Sequence, residues 1–143
     1  MKWVIDASVA AKWLAPEVES LLADELLDDD LIAPDLLFAE VANILWKKQL
    51  RGEIDAMTLT LAARWLLQLP IQVHDSASLL VEAAALAVRL KHPAYDCFYL
   101  ALAVRTDAAL VTADRRFYER CQRRDASEYC ARVRLLGSTI AAH

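Results

Sequence analysis

Two apolar stretches of this chain each run into an aspartate: Val4-Ile5-Asp6 near the start, and Leu110-Val111-Thr112-Ala113-Asp114 far along it. If both stretches are parallel strands, the acids stand beyond strand carboxyl ends, where α/β sheets gather functional groups. Aspartate is also a favoured helix N-cap, so each could simply cap the helix that follows. Capping and cation binding compete for the same oxygens. Glu40 has Leu36, Leu37, Asn43 and Ile44 three and four residues away, beside the inward stripe of its helix. Desolvating an unpaired charge there is costly, and the alternative, an ion pair with Lys47 two turns on, is strained. Asp96 opens the most apolar helix of the chain, with every residue from Cys97 to Val104 apolar. The helix dipole favours an acid at that position, yet a buried first turn also calls for a partner to the charge. Together Asp6, Glu40, Asp96 and Asp114 form an acid-only set. Hard oxygen donors without His or Cys suit Mg²⁺ or Mn²⁺ better than Zn²⁺, and such ions in carboxylate nests assist phosphoryl chemistry.

The elements that must position these acids alternate in type. KWVID reads as a buried strand, followed by a short helix through SVAAKWLA that Pro16 interrupts. EVESLLADELLDD has helical spacing from Val18 onward, and LIAP is a short strand or turn. PDLLFAEVANILWKKQLRG is a strong helix, opened by Pro34 and stopped by Gly52. DAMTLTLAARWLLQL is the next helix, with Asp55 as its N-cap and Pro70 as its end. IQVHD is a strand, SASLLVEAAALAVRLKH a helix and YDCFYLALAVRT a helix apolar nearly all round, which places it centrally. AALVTAD is a strand, RRFYERCQRR a helix and ARVRLL a last strand. Alternation of this kind implies parallel pairing with helices on both faces, an α/β sandwich rich in helix.

Composition narrows the class. A length of 143 residues, 57% of them hydrophobic and 25% charged, fits one globular domain. No apolar run is long enough to span a bilayer, and the start lacks a signal-peptide core. Cys97, Cys121 and Cys130 form no CxxC pair, so reduced thiols and a cytoplasmic location are expected. A net charge of −4 argues against nucleic-acid binding by charge alone. Positive charge is nonetheless concentrated at Arg115, Arg116, Arg120, Arg123 and Arg124, with Phe117 and Cys121 turned inward. That face is either solvated or a grip on phosphates.

The stretches VIDASVAAKWL, LLFAEVANILWKKQLRG, HPAYDCFYLALA and LVTADRRF, in this order and separation, resemble the PIN-domain ribonucleases, particularly VapC-type toxins of toxin–antitoxin pairs. The resemblance spans nearly the whole chain. It implies a single PIN-like nuclease domain over residues 1–143, a three-layer α/β/α sandwich with a central, mainly parallel sheet. It implies a Mg²⁺- or Mn²⁺-dependent endoribonuclease whose acidic quartet maps onto Asp6, Glu40, Asp96 and Asp114. Ser8 and Thr112 match positions that support the site from beside the ligands, and Asn43, one turn from Glu40, is placed with them. A homodimer, an RNA substrate and a VapB-type antitoxin are the implied partners.

Smaller features take ordinary readings. Cys97 stands where a small residue is common and reads as a buried hydrophobe. His74, His92 and His143 have no ligand spacing and read as surface or supporting residues. Trp3, Trp13, Trp46 and Trp65 read as core or dimer packing. Two alternatives stand beside the nuclease. A haloacid-dehalogenase-type phosphatase would carry a second Asp where Ser8 is, and a catalytically silent PIN-fold module would bind a partner without cutting RNA.

Overall fold

Lys2–Ile5 forms the central strand β1, and Trp3, Val4 and Ile5 are buried on both faces, as a parallel strand covered by helices must be. The structure is a computed structural model and describes residues 1–15, 20–123, 129 and 131–137. Pro16, Val18, Arg124, Asp125, Cys130 and His143, on which parts of the sequence reading rest, lie outside the described residues.

From β1 the chain enters α1 (Ala7–Leu14) and α2 (Ser20–Asp24), then a 3-10 turn over Glu25–Asp28. It returns as β2 (Asp30–Pro34), followed by α3 (Leu36–Leu50) and α4 (Ala56–Leu66). β3 (Ile71–His74) leads through a 3-10 turn at Ala77–Leu79 to α5 (Leu80–Leu90) and α6 (Ala94–Thr106). β4 (Ala109–Thr112), α7 (Arg115–Cys121) and β5 (Val133–Leu135) close the described chain. All five strands pair in parallel in the order β3-β2-β1-β4-β5. The chain adds β2 and β3 on one side of β1, then places β4 on the other, so strand order reverses between β1 and β4. Right-handed crossovers put α1 to α4 on one face and α5 to α7 on the other. The packing agrees, with α1 against α3 and α4, α5 against α6, and α7 against β4 and β5. The expected three-layer α/β/α sandwich is the observed one, and its sheet is wholly parallel.

The central helix is the one the sequence marks. Cys97, Tyr99, Leu100, Ala101, Leu102 and Ala103 of α6 are buried, and α6 packs over β1, β2 and β4. Asp55 caps α4, accepting the Thr58 N–H at 2.7 Å. Gly52 ends α3 at φ +77°, a left-handed conformation that costs a residue without Cβ little. One boundary needs correction. Pro34 does not open α3; it is the last residue of β2, opposite His74. Strand pairing continues through Pro34 to the Asp35 N–H, which donates to the His74 carbonyl at 2.8 Å, so the helix starts only at Leu36. Among the described residues, no helix is long and apolar enough to cross a membrane.

If α6 is the keystone of the core, truncating it should be expensive. Leu100→Ala, at a fully buried position, should lower the unfolding free energy by about 2–5 kcal/mol. Val81→Ala on α5, where the valine is 78% exposed, should change it by no more than about 0.5 kcal/mol. Urea titrations followed by circular dichroism measure both, and equal costs would contradict the layering.

Candidate active site

The register of β1 on β4 sets Ile5 opposite Val111, so Asp6 and Thr112 leave the sheet side by side. Asp6 caps α1, as capping chemistry predicts: its Oδ1 accepts the Val9 N–H at 3.2 Å and the Ser8 hydroxyl at 2.6 Å. The Thr112 hydroxyl donates to Oδ2. Asp114 caps α7 in the same way, accepting the Phe117 N–H at 3.2 Å. The two hydroxyls also tie the strand ends together. Ser8 Oγ accepts the Ala113 N–H at 2.9 Å, and Thr112 Oγ1 accepts the Asp114 N–H at 3.0 Å. Capping and site lining are thus not alternatives here, because both caps face one cleft.

The other two acids come from opposite layers. Asp96 sits in the first turn of α6, and its Oδ2 lies 2.6 Å from His92 Nε2. The buried His92 ring rests against Phe117 of α7, with centroids 5.0 Å apart. Glu40 projects from α3, half-buried, and among the described residues it forms no ion pair with the exposed Lys47. Glu40 Oε1 and the Tyr99 hydroxyl of α6 are both buried with no hydrogen-bond partner. Tyr99 is nonetheless close enough to temper the Glu40 carboxylate, so the two face each other without the alignment of a bond. All four acids, Ser8 and Tyr99 line a single cleft of about 130 Å³.

The charges are held under strain. Burial pushes the Asp6 carboxyl up to about 7, against the lowering pull of the Ser8 and Thr112 hydroxyls, and the Asp96 charge adds to the rise. Desolvation also raises Glu40 and Asp96; the Asp96 charge adds to Glu40, and His92 restrains Asp96. Burial and the neighbouring carboxylates raise the Tyr99 phenol as well. Cys97, pushed up to about 12 by burial, stays a thiol and contacts the Pro93 carbonyl at 3.6 Å, in keeping with a packing role. Hard oxygen donors, an orphaned carboxylate oxygen and acids raised by desolvation together make a site suited to a hard divalent cation. Among the described residues, however, no three His, Cys, Asp or Glu side chains are already drawn together to hold one. The donor chemistry fits, and the internal bonds leave room for it: Asp114 meets its backbone donor through Oδ1 and Asp96 meets His92 through Oδ2, one oxygen each.

Other expected residues lie farther out. Asn43 is exposed on α3 and does not line the cleft. Arg115 and Arg116 are exposed at the start of α7, Arg120 is half-buried, and Arg123 is exposed just beyond the helix. Phe117 and Cys121 are buried beneath them, as the helical spacing required. Tyr99 and the His92–Asp96 pairing were not read from the sequence as site features. For Tyr99 the spacing held the signal, since it follows Asp96 by three residues on one helix; His92 lies before that helix begins, beyond Pro93.

This fold has known relatives. The PIN domain family model matches residues 3–122, and the chain belongs to the PIN domain family. It is 36% identical over 124 residues to Ribonuclease VapC3 of Pyrobaculum aerophilum, covering 84% of this chain and 95% of that one. The crystal structure of PAE2754 from Pyrobaculum aerophilum superposes with a TM-score of 0.70 at 19% identity, covering 99% of this chain and 94% of that one. VapC20 of Mycobacterium tuberculosis, described as a sarcin-ricin loop cleaving toxin, gives 0.57 at 18% identity, covering 73% and 83%. Family membership removes the phosphatase alternative, and the position that would carry its second Asp holds Ser8, bonded to Asp6.

The Asp6 shift carries a pH signature. The unfolded chain releases this proton at the ordinary 3.8, the folded one at about 7. Between these values the folded state holds the extra proton, so stability falls as pH rises and levels off above about 7. Glu40 and Asp96 shift in the same direction. In protein stripped of divalent ions, Asp6→Asn should unfold at a higher temperature than the parent at pH 8 and at nearly the same temperature at pH 4. Parallel thermal profiles for the two proteins across that range would show that Asp6 is not the strained charge.

Proposed function

We propose that this chain is a Mg²⁺- or Mn²⁺-dependent endoribonuclease, the toxin of a VapBC-type pair. The observation that carries the reading is the convergence of Asp6, Glu40, Asp96 and Asp114, from three layers of the fold, on one cleft at the reversal of strand order. The similarity to Ribonuclease VapC3 over most of both chains supports RNA as the substrate. Asp6, Asp96 and Asp114 would hold the ion directly or through water, while Glu40 would help hold it or orient the attacking water. When bound, the ion supplies a water of lowered pKa and neutralises charge gathering on the phosphate. Ser8 and Thr112 keep Asp6 oriented, and His92 keeps Asp96 oriented. The backbone N–H groups of Val9 and Phe117 hold Asp6 and Asp114 as helix caps.

The partners follow from the same reading. An antitoxin would neutralise the enzyme in the cytoplasm, and a second copy of this chain would pair with it. Trp46 and Leu50 on α3, with Met57, Leu61 and Trp65 on α4, leave an apolar stripe exposed, and such a stripe favours association. Sedimentation at micromolar concentration should therefore give a species larger than the monomer, and Leu61→Glu with Trp65→Glu should reduce it to one.

Asp6→Asn keeps the shape of the side chain and removes the charge that would hold the ion. Cleavage of RNA should require Mg²⁺ or Mn²⁺ and fall in this variant by more than about 100-fold, beyond the loss expected for a merely supporting residue. Full activity in the purified variant, or cleavage in excess chelator, would refute the reading, and a silent binding module would show neither activity. The arginines of α7 and just beyond it, Arg115, Arg116, Arg120 and Arg123, are assigned the phosphate grip. Replacing Arg116, Arg120 and Arg123 by Gln should weaken RNA binding and flatten the log–log salt slope by about 2, at roughly 0.7 per phosphate contact on single strands. An unchanged slope would leave them a solvated face.

A further inference from the structure

Tyr99 combines features that packing alone does not require. Its ring belongs to the core of α6 and the residue is 1% exposed, yet its hydroxyl is turned into the acidic cleft. Helical spacing from Asp96 puts it there, three residues on along the same face. The hydroxyl is buried without a partner, and Glu40 Oε1, on a carboxylate close enough to feel it, is buried without one as well. Buried polar groups are rarely left unpaired, and two in one cleft are a donor and an acceptor waiting for alignment. A phenol can donate and a carboxylate can only accept, so the direction is fixed. Catalytic hydrogen bonds are often misaligned in the empty enzyme and tighten when the site fills.

We propose that Tyr99 is a positioning residue for Glu40: its hydroxyl donates to Glu40 Oε1 when the site fills, fixing the other carboxylate oxygen, Oε2, toward the reaction centre. The inference rests on the nuclease reading and assigns a role to a residue outside the acidic quartet. Glu40 stands on a side chain with several rotatable bonds, in contrast to the three aspartates, each of which already has a fixed partner. Tyr99 supplies the one anchor that Glu40 otherwise lacks. The ring takes part in the core, so only the hydroxyl oxygen is at issue.

Tyr99→Phe isolates that oxygen while keeping the packing. Saturating Mn²⁺ kinetics on a short RNA should show kcat reduced about 10–100-fold with KM for RNA unchanged, the scale of losing a supporting partner. Chelator-treated Tyr99→Phe should unfold at or above the parental temperature, because no ground-state bond is lost and an unpaired buried hydroxyl is removed. In single-turnover reactions, adding Tyr99→Phe to Glu40→Gln should cost nothing further, since the effect passes through Glu40. A parental kcat in Tyr99→Phe, an equal loss in the Glu40→Gln background, or a lowered unfolding temperature with kcat intact would each overturn the proposal. Asp6→Asn separates the two levels. If it is inactive and Tyr99→Phe is not, only the role of Tyr99 falls; if the parent itself cleaves no RNA, the nuclease reading falls with it.

Discussion

The parallel pairing of β1 with β4, Ile5 opposite Val111, joins segments separated by most of the chain, and the site is built outward from it. That register makes Thr112 the neighbour of Asp6 and lets Ser8 reach the backbone of Ala113. A slip of one residue would turn each strand's inward side chains to the opposite face and separate the two aspartate caps. The register is held by apolar burial, since Val4, Ile5, Leu110 and Val111 are all fully buried. The forces that fold the sheet are therefore the forces that aim the carboxylates.

What the sheet aims, it also desolvates. Asp6 is 4% exposed, and its two hydroxyl donors and one backbone donor do not offset the burial. Glu40 and Asp96 are held in the same condition to a lesser degree. A protein optimised only for stability would place neutral residues at these positions. Functional sites commonly accept such a penalty in return for chemistry that neutral residues could not perform.

Much of this was legible in the residues. The apolar runs ending in Asp6 and Asp114 gave both strand ends, because parallel strands covered on both faces must be apolar throughout. The nearly all-apolar α6 announced a central helix, and the aliphatic neighbours of Glu40 marked an acid that faces inward. Pro34 misled because proline is at home both at the end of a strand and at the start of a helix, and the deciding contact, to His74, comes from another strand. Tyr99 and the pairing of His92 with Asp96 were hidden for different reasons. A tyrosine amid leucines and alanines reads as packing until the direction of its hydroxyl is known. The His92–Asp96 bond crosses the turn at Pro93, where helical spacing alone is no guide. Asn43 shared a helix turn with Glu40 but faces solvent, which one turn of spacing could not distinguish.

The long separation between the two strands at the centre has a consequence for synthesis. A ribosome releases β1 early, together with α3 and its Glu40, but β4 and Asp114 emerge only after residue 109. Until then β1 has a partner on one edge alone, and Asp6 has neither Thr112 beside it nor Asp114 across from it. Pairings between distant segments form late, because the intervening loop must be closed first. A nascent chain carrying three of the four acids thus still lacks the cleft, and whatever chemistry the cleft performs is withheld until Asp114 has been added.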